Sequence, residues 1–195
     1  MPAAGGRYPD AMRADRGFQE LVTERLRLRR SAPEDARAIS AYRSDPDVHR
    51  FQGWERTDVD AVRAEIEEMV TRTPGEAGGW VQMSVEERAT GVLVGDVGLS
   101  LVDGEPGVVK VGYTIDPSCQ GRGYATEAVR ALITYAFDTL DAQVVRMHAS
   151  ANNVASIRVA EKAGLWFVER RQYRDDDEVW FGVRYELHRA ERTAV

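Results

Sequence analysis

The feature that most constrains this chain is the short glycine loop Gln120-Gly-Arg-Gly-Tyr-Ala125, which sits between two contrasting stretches. Before it, residues 108–115 are apolar and β-branched. After it, Ala125, Ala128, Val129, Leu132, Ile133, Ala136, Phe137 and Leu140 recur at spacings of three and four, the period of one helix face. A strand, a glycine loop and a helix start together form an anion site. Glycines let the backbone approach closely, and the first helical N–H groups point outward at the anion. The loop therefore predicts a phosphate-bearing ligand.

Two familiar phosphate motifs are excluded. A nucleoside-triphosphate loop needs a lysine after its last glycine, and Tyr124 follows Gly123. A dinucleotide fingerprint needs a third glycine where Thr126 stands. Net charge is −6, which argues against a general nucleic-acid binder. A single cysteine, Cys119, forms no internal disulfide and cannot build a zinc site, and the three histidines have no metal-like spacing. No apolar run reaches the ~20 residues that span a bilayer, so a cytoplasmic enzyme without membrane contact is the expectation.

The remaining patterns predict a single domain over 21–190 behind a flexible leader at 1–20. Thr23–Arg29 alternates as a strand. Ser31-Ala-Pro-Glu34 fits a capping box for a helix to about Tyr42. Asp45-Pro46 and Thr57-Asp58 start two further helices. Strands are predicted over Trp80–Glu86, Gly91–Val102 and Val108–Ile115, with a hairpin turn at Asp103–Gly107. A strand at Val144–Ala149, a helix at Val154–Ala163 and a final antiparallel pair around Asp175–Glu178 complete the chain. The four tryptophans, Trp54, Trp80, Trp166 and Trp180, are expected in core or rim packing. The expected fold class is α/β (α+β), a mixed sheet flanked by helices.

Four segments resemble the GCN5-related N-acetyltransferase (GNAT) superfamily, and in particular its RimJ/RimL-like branch. They are Thr23-Glu-Arg-Leu-Arg-Leu-Arg-Arg30, Val111-Gly-Tyr-Thr-Ile-Asp-Pro117, Gln120-Gly-Arg-Gly-Tyr-Ala-Thr-Glu-Ala128 and Asn153-Val-Ala-Ser-Ile-Arg-Val-Ala-Glu-Lys-Ala-Gly-Leu165. The last two, in order and about 30 residues apart, are the specific pair.

The resemblance implies a mostly antiparallel sheet splayed at an acyl-CoA site, and transfer of an acetyl group from acetyl-CoA to a primary amine. The amine would belong to a protein N-terminus or a small molecule. A non-catalytic acyl-CoA-binding module is the alternative, and either a monomer or a homodimer fits. The loop residues Gln120, Gly121, Arg122, Gly123, Tyr124, Ala125 and Thr126 would hold the diphosphate, while Arg122 also reads as a plain exposed arginine. Tyr113, Thr114 and Ile115 would pair with the pantetheine amides as an added strand does. Asn153 would bond the pantetheine arm; its other reading is a helix cap. Ser156 would meet the leaving sulfur or simply belong to the first helical turn. The chain departs from the family at Ala160, where many members have an acidic tyrosine, and at Lys110, where many have a glutamate. Asp96, a carboxylate inside a strand, is the candidate base; its other reading is an outward-facing strand residue.

Overall fold

The computed structural model describes residues 12–52, 57–175 and 178–192. One eight-stranded sheet runs through it in the order β1-β2-β3-β4-β5-β6-β8-β7. The strands are β1 (Glu20–Val22), β2 (Leu26–Arg30), β3 (Val81–Glu87), β4 (Leu93–Leu101), β5 (Val108–Ile115), β6 (Val144–Ser150), β7 (Trp166–Asp175) and β8 (Glu178–His188). All neighbours are antiparallel except β5 and β6. Five helices accompany them: α1 (Ala36–Arg43), α2 (Pro46–His49), α3 (Val59–Met69), α4 (Tyr124–Asp138) and α5 (Val154–Ala163).

Alternation along the strands divides the molecule. Leu26, Leu28, Met83, Val85, Val97, Leu99, Val109 and Val111 are buried in one large core with α4 residues such as Leu132 and Phe137. The other face carries a smaller core of Ala36, Ile39, Tyr42, Val62 and Ile66 from α1 and α3. On that face β4 and β5 present polar or bare positions: Asp96 opposite Thr114, Gly98 opposite Gly112, and Ser100 opposite Lys110.

The parallel pair is short. β5 and β6 register only at Val108↔Val144, Val109↔Val145 and Lys110↔Arg146. Beyond Lys110 the strands part, and residues 111–115 have no β6 partner. This is the splay that the resemblance implied.

Several local expectations shift. Residues 12–19, read as part of a leader, pack on the domain; residues 1–11 lie outside the described residues. The Arg13 N–H donates to the Leu140 carbonyl (3.0 Å), the Asp15 N–H to the Pro74 carbonyl (2.8 Å), and Phe18 is buried against Tyr135. β1 was not foreseen, since three residues carry too little pattern to announce a strand. The first helix is entered through a 3-10 turn, Pro33–Asp35, instead of a box capped by Ser31. Asp35 instead accepts from the Ala32 N–H (2.8 Å) and from both Arg29 nitrogens, and Ser31 meets Ser84. Asp58 caps α3 by accepting from the Ala61 N–H, as its sequence suggests. Trp166 is 70% exposed on the edge strand instead of packed, and Trp180 stacks on Tyr173 at the surface. Trp54 and the loop residues Asp176 and Asp177 lie outside the described residues.

Candidate active site

The glycine loop owes its shape to two left-handed residues. Gly121 has φ +75° and Gly123, the N-cap of α4, has φ +84°. Any other L-residue there is strained. The space around Gly121 is open, so the glycine answers to backbone shape and leaves room above the loop. The helix that follows begins with free N–H groups, the usual state of a first turn. Gln120 ties the loop to the strand it left: its Nε2 donates to the Ile115 carbonyl at 3.1 Å. Arg25 ties it from the other side. Its Nη1 donates to the Arg122 carbonyl (2.9 Å), its Nε donates to Glu127 Oε2 (2.7 Å), and its guanidinium lies 4.9 Å from the Tyr124 ring centre. Thr23 and the Arg25 N–H also donate to Glu127, whose carboxyl is held below its ordinary range: these hydrogen bonds outweigh burial.

A cleft of 610 Å³ opens above this loop. It gathers Tyr113, Thr114 and Ile115 from the part of β5 that β6 does not reach, the loop and first turn of α4, and Asn153 and Ser156 from the start of α5. Of the expected ligand-binding residues only Arg122 stays out of it; that side chain is exposed and reaches the Ser118 carbonyl. Arg50, Arg158 and Lys162 also line the cleft, together with Asp45 and Asp47; Arg50 pairs with Asp47 at 3.3 Å, which leaves Arg158 and Lys162 as the added positive charge.

Asn153 is the N-cap of α5: its Oδ1 accepts from the Ser156 N–H at 3.0 Å. The cap therefore fixes where Ser156 sits. The Tyr113 phenol is pushed up in pKa by burial, an effect partly offset by the Ser156 hydroxyl beside it. Two hydroxyls thus meet where β5 and α5 face each other. Ala160, one turn further along, is buried in the core.

Asp96 does not face outward. It is 2% exposed, beneath α1, and lines a second cleft of 590 Å³. The Tyr42 hydroxyl and the Gln82 amide donate to its two oxygens, and Arg43 Nη2 lies 4.0 Å away. Burial raises the Asp96 carboxyl above its ordinary range, and Arg43, Tyr42 and Gln82 only partly counter this. Because burial disfavours its charged form, this carboxylate is a stronger base than an exposed aspartate.

The two clefts share Gln52, Tyr113 and Thr114. Gln52 was not foreseen; it sits past α2, and its Nε2 approaches Thr114 Oγ1 at 3.5 Å. Nothing local in the sequence marks it, because its partner lies 62 residues away.

Known proteins resemble this chain in sequence and in fold. A family model described as an acetyltransferase (GNAT) domain matches residues 25–165. The uncharacterised N-acetyltransferase p20 of Bacillus licheniformis is 32% identical over 143 residues, which is 73% of this chain and 79% of p20. A GNAT-family acetyltransferase from Bacillus anthracis has the same fold at a TM-score of 0.78 and 22% identity, covering 87% of this chain and 98% of its own. The microcin C7 self-immunity acetyltransferase MccE, solved with acetyl-CoA and AMP, superposes with a TM-score of 0.73 at 14% identity, over 85% of this chain and 93% of MccE.

Proposed function

Because the chain belongs to the GNAT acetyltransferase family, we propose that it transfers an acetyl group from acetyl-CoA to a primary amine, with the donor in the cleft above the glycine loop and the amine in the cleft over Asp96. The observation that carries this reading is that the two clefts meet at Gln52, Tyr113 and Thr114. An amine and a thioester entering from the two sides come together there, as direct attack requires.

The donor cleft suits its ligand in shape and charge. Left-handed glycines leave open space at the start of a helix dipole, a fit for a diphosphate. Residues 111–115, paired with β4 on one side and with no β6 partner on the other, offer peptide groups to the pantetheine amides. Asp96 takes a proton from the acceptor's ammonium, helped by its raised pKa, and so frees the amine to attack the thioester carbonyl. Ser156, with Tyr113 beside it, meets the departing sulfur. The Asn153-x-x-Ser156 pair and the Glu161-Lys162-x-Gly164 run favour the RimJ/RimL-like branch, and with it a protein N-terminal amine among the acceptors.

The test is thiol release from acetyl-CoA over a panel of N-terminal peptides, polyamines and amino sugars. Turnover on at least one class is expected. Tight CoA binding with no turnover on any of them would defeat the transfer reading.

A further inference from the structure

The cleft over Asp96 has a second end. Along the same face, Lys110 lies four residues before Thr114 on β5, roughly 13 Å at the usual strand rise. Between the two ends the floor is bare. Gly98 and Gly112 face each other across β4 and β5, and the Trp80 indole lies on them. A Cβ at Gly98 would come within 3.1 Å of the indole, and one at Gly112 within 3.3 Å. The glycine pair is therefore what lets the ring lie against the sheet. Lys110 leans back along the strand over that ring, with Nζ 5.4 Å from a Trp80 ring centre.

The charges lining this cleft are matched, with one exception. Arg43 bonds Glu65 at 2.8 Å, and Arg72 pairs with Glu68 and donates to the Trp80 carbonyl. Asp96 is bonded by Tyr42 and Gln82. Among the described residues, Lys110 has no carboxylate within ion-pair distance. It is half-buried, and its pKa is lowered by that burial and by Arg146. A half-buried ammonium with an aromatic face but no counter-ion is incompletely compensated. A carboxylate arriving with the acceptor would complete it.

We propose that Lys110, held on Trp80, is a specificity-determining residue that selects amines carrying a carboxylate a short chain away from the reacting nitrogen. The inference rests on reading this cleft as the acceptor site. Asp96 marks the nitrogen end and Lys110 the carboxylate end, so the acceptor lies along the Trp80 indole that covers Gly98 and Gly112. A diamine of the same length would set its second cation against Lys110 and be rejected.

The experiment is calorimetric titration of the CoA-saturated protein with ω-aminobutanoate, ω-aminohexanoate and ω-aminooctanoate, each against its neutral amide. One length should bind at least about ten-fold tighter as the acid than as the amide. Lys110→Met should bring that ratio to near unity, and Lys110→Arg should preserve it. Equal affinities for acid and amide at every length, no saturable binding in any arm, or a preference that survives Lys110→Met would each overturn the proposal. Thiol release from acetyl-CoA with the same amines, in parallel samples without added CoA, judges transfer separately. An acid preference without release would leave the Lys110 site standing and defeat the transfer reading.

Discussion

The Arg25 guanidinium binds Glu127 at 2.7 Å and, through Nη1, the Arg122 carbonyl at 2.9 Å. One side chain at the edge of β2 thus joins the first turn of α4 to the middle of the glycine loop. Arg25→Ala should loosen the loop and weaken CoA binding about ten-fold, measured by calorimetry. Because the pair is partly exposed, the stability change should stay within about 1 kcal/mol. Unchanged CoA affinity would mean that the two left-handed glycines hold the loop unaided.

Gly123→Val places a β-branched residue at φ +84° and brings its Cβ to 3.4 Å from Arg25. The backbone strain should cost about 1–2 kcal/mol, seen as a lower urea midpoint. CoA affinity should fall further than in Arg25→Ala, since the valine strains the loop backbone and also crowds the Arg25 side chain that ties it.

Asp96→Asn should lower kcat/KM about 10²-fold or more, the usual span of a lost general base. In the wild type, burial raises the Asp96 pKa, so the acid limb of kcat/KM should lie above the ordinary aspartate range, with activity rising as pH increases through it. Stability has the opposite sign. The fold holds this proton more tightly than the unfolded chain does. Its contribution is therefore greatest below the ordinary aspartate pKa and declines as pH rises through the raised one. A pH–rate profile and a pH series of melting curves, each compared with Asp96→Asn, check both halves.

Ser156→Ala should reduce kcat while leaving CoA affinity and stability nearly intact. The α5 cap uses the Ser156 backbone N–H, which alanine retains. Equal kcat in the variant would leave Ser156 with no role beyond its place in the helix.

Asp35→Ala should destabilise the fold by about 3–5 kcal/mol in urea unfolding, because it leaves Arg29 short of one of its two carboxylates in a largely buried network. Burial opposes ionisation of Asp35. The bonds from Arg29, the Ala32 N–H and Ser84 outweigh it and hold the pKa below the ordinary range. The stabilisation is thus present above the unfolded aspartate pKa and disappears as pH falls through the folded one. The variant should therefore flatten the acid side of the stability profile.

The features legible in the sequence are local ones. The β5–loop–α4 unit and the Asn153–Ala163 helix announce themselves within a dozen residues through period, glycine placement and caps. Features set by distant partners were not legible. Ser31 resembles a helix cap, but Ser84 engages it from 53 residues away. Arg25, Gln52 and Trp80 look like ordinary strand or loop residues until the sheet brings their partners to them. Asp96 was conspicuous as a carboxylate in a strand, yet only the packing of α1 shows which face it occupies. Phe18 was assigned to a leader because nothing periodic surrounds it; Tyr135 is what buries it.

The parting of β5 and β6 after Lys110 and Arg146 leaves one side of residues 111–115 without a partner strand among the described residues. A molecule that lies along them finishes the sheet. Occupancy and folding are then linked equilibria, with stability growing as RT ln(1 + [L]/Kd). A ligand at a hundred times its dissociation constant adds about 2.7 kcal/mol. Inside a cell, the resistance of this protein to unfolding becomes a gauge of how much of that molecule is at hand.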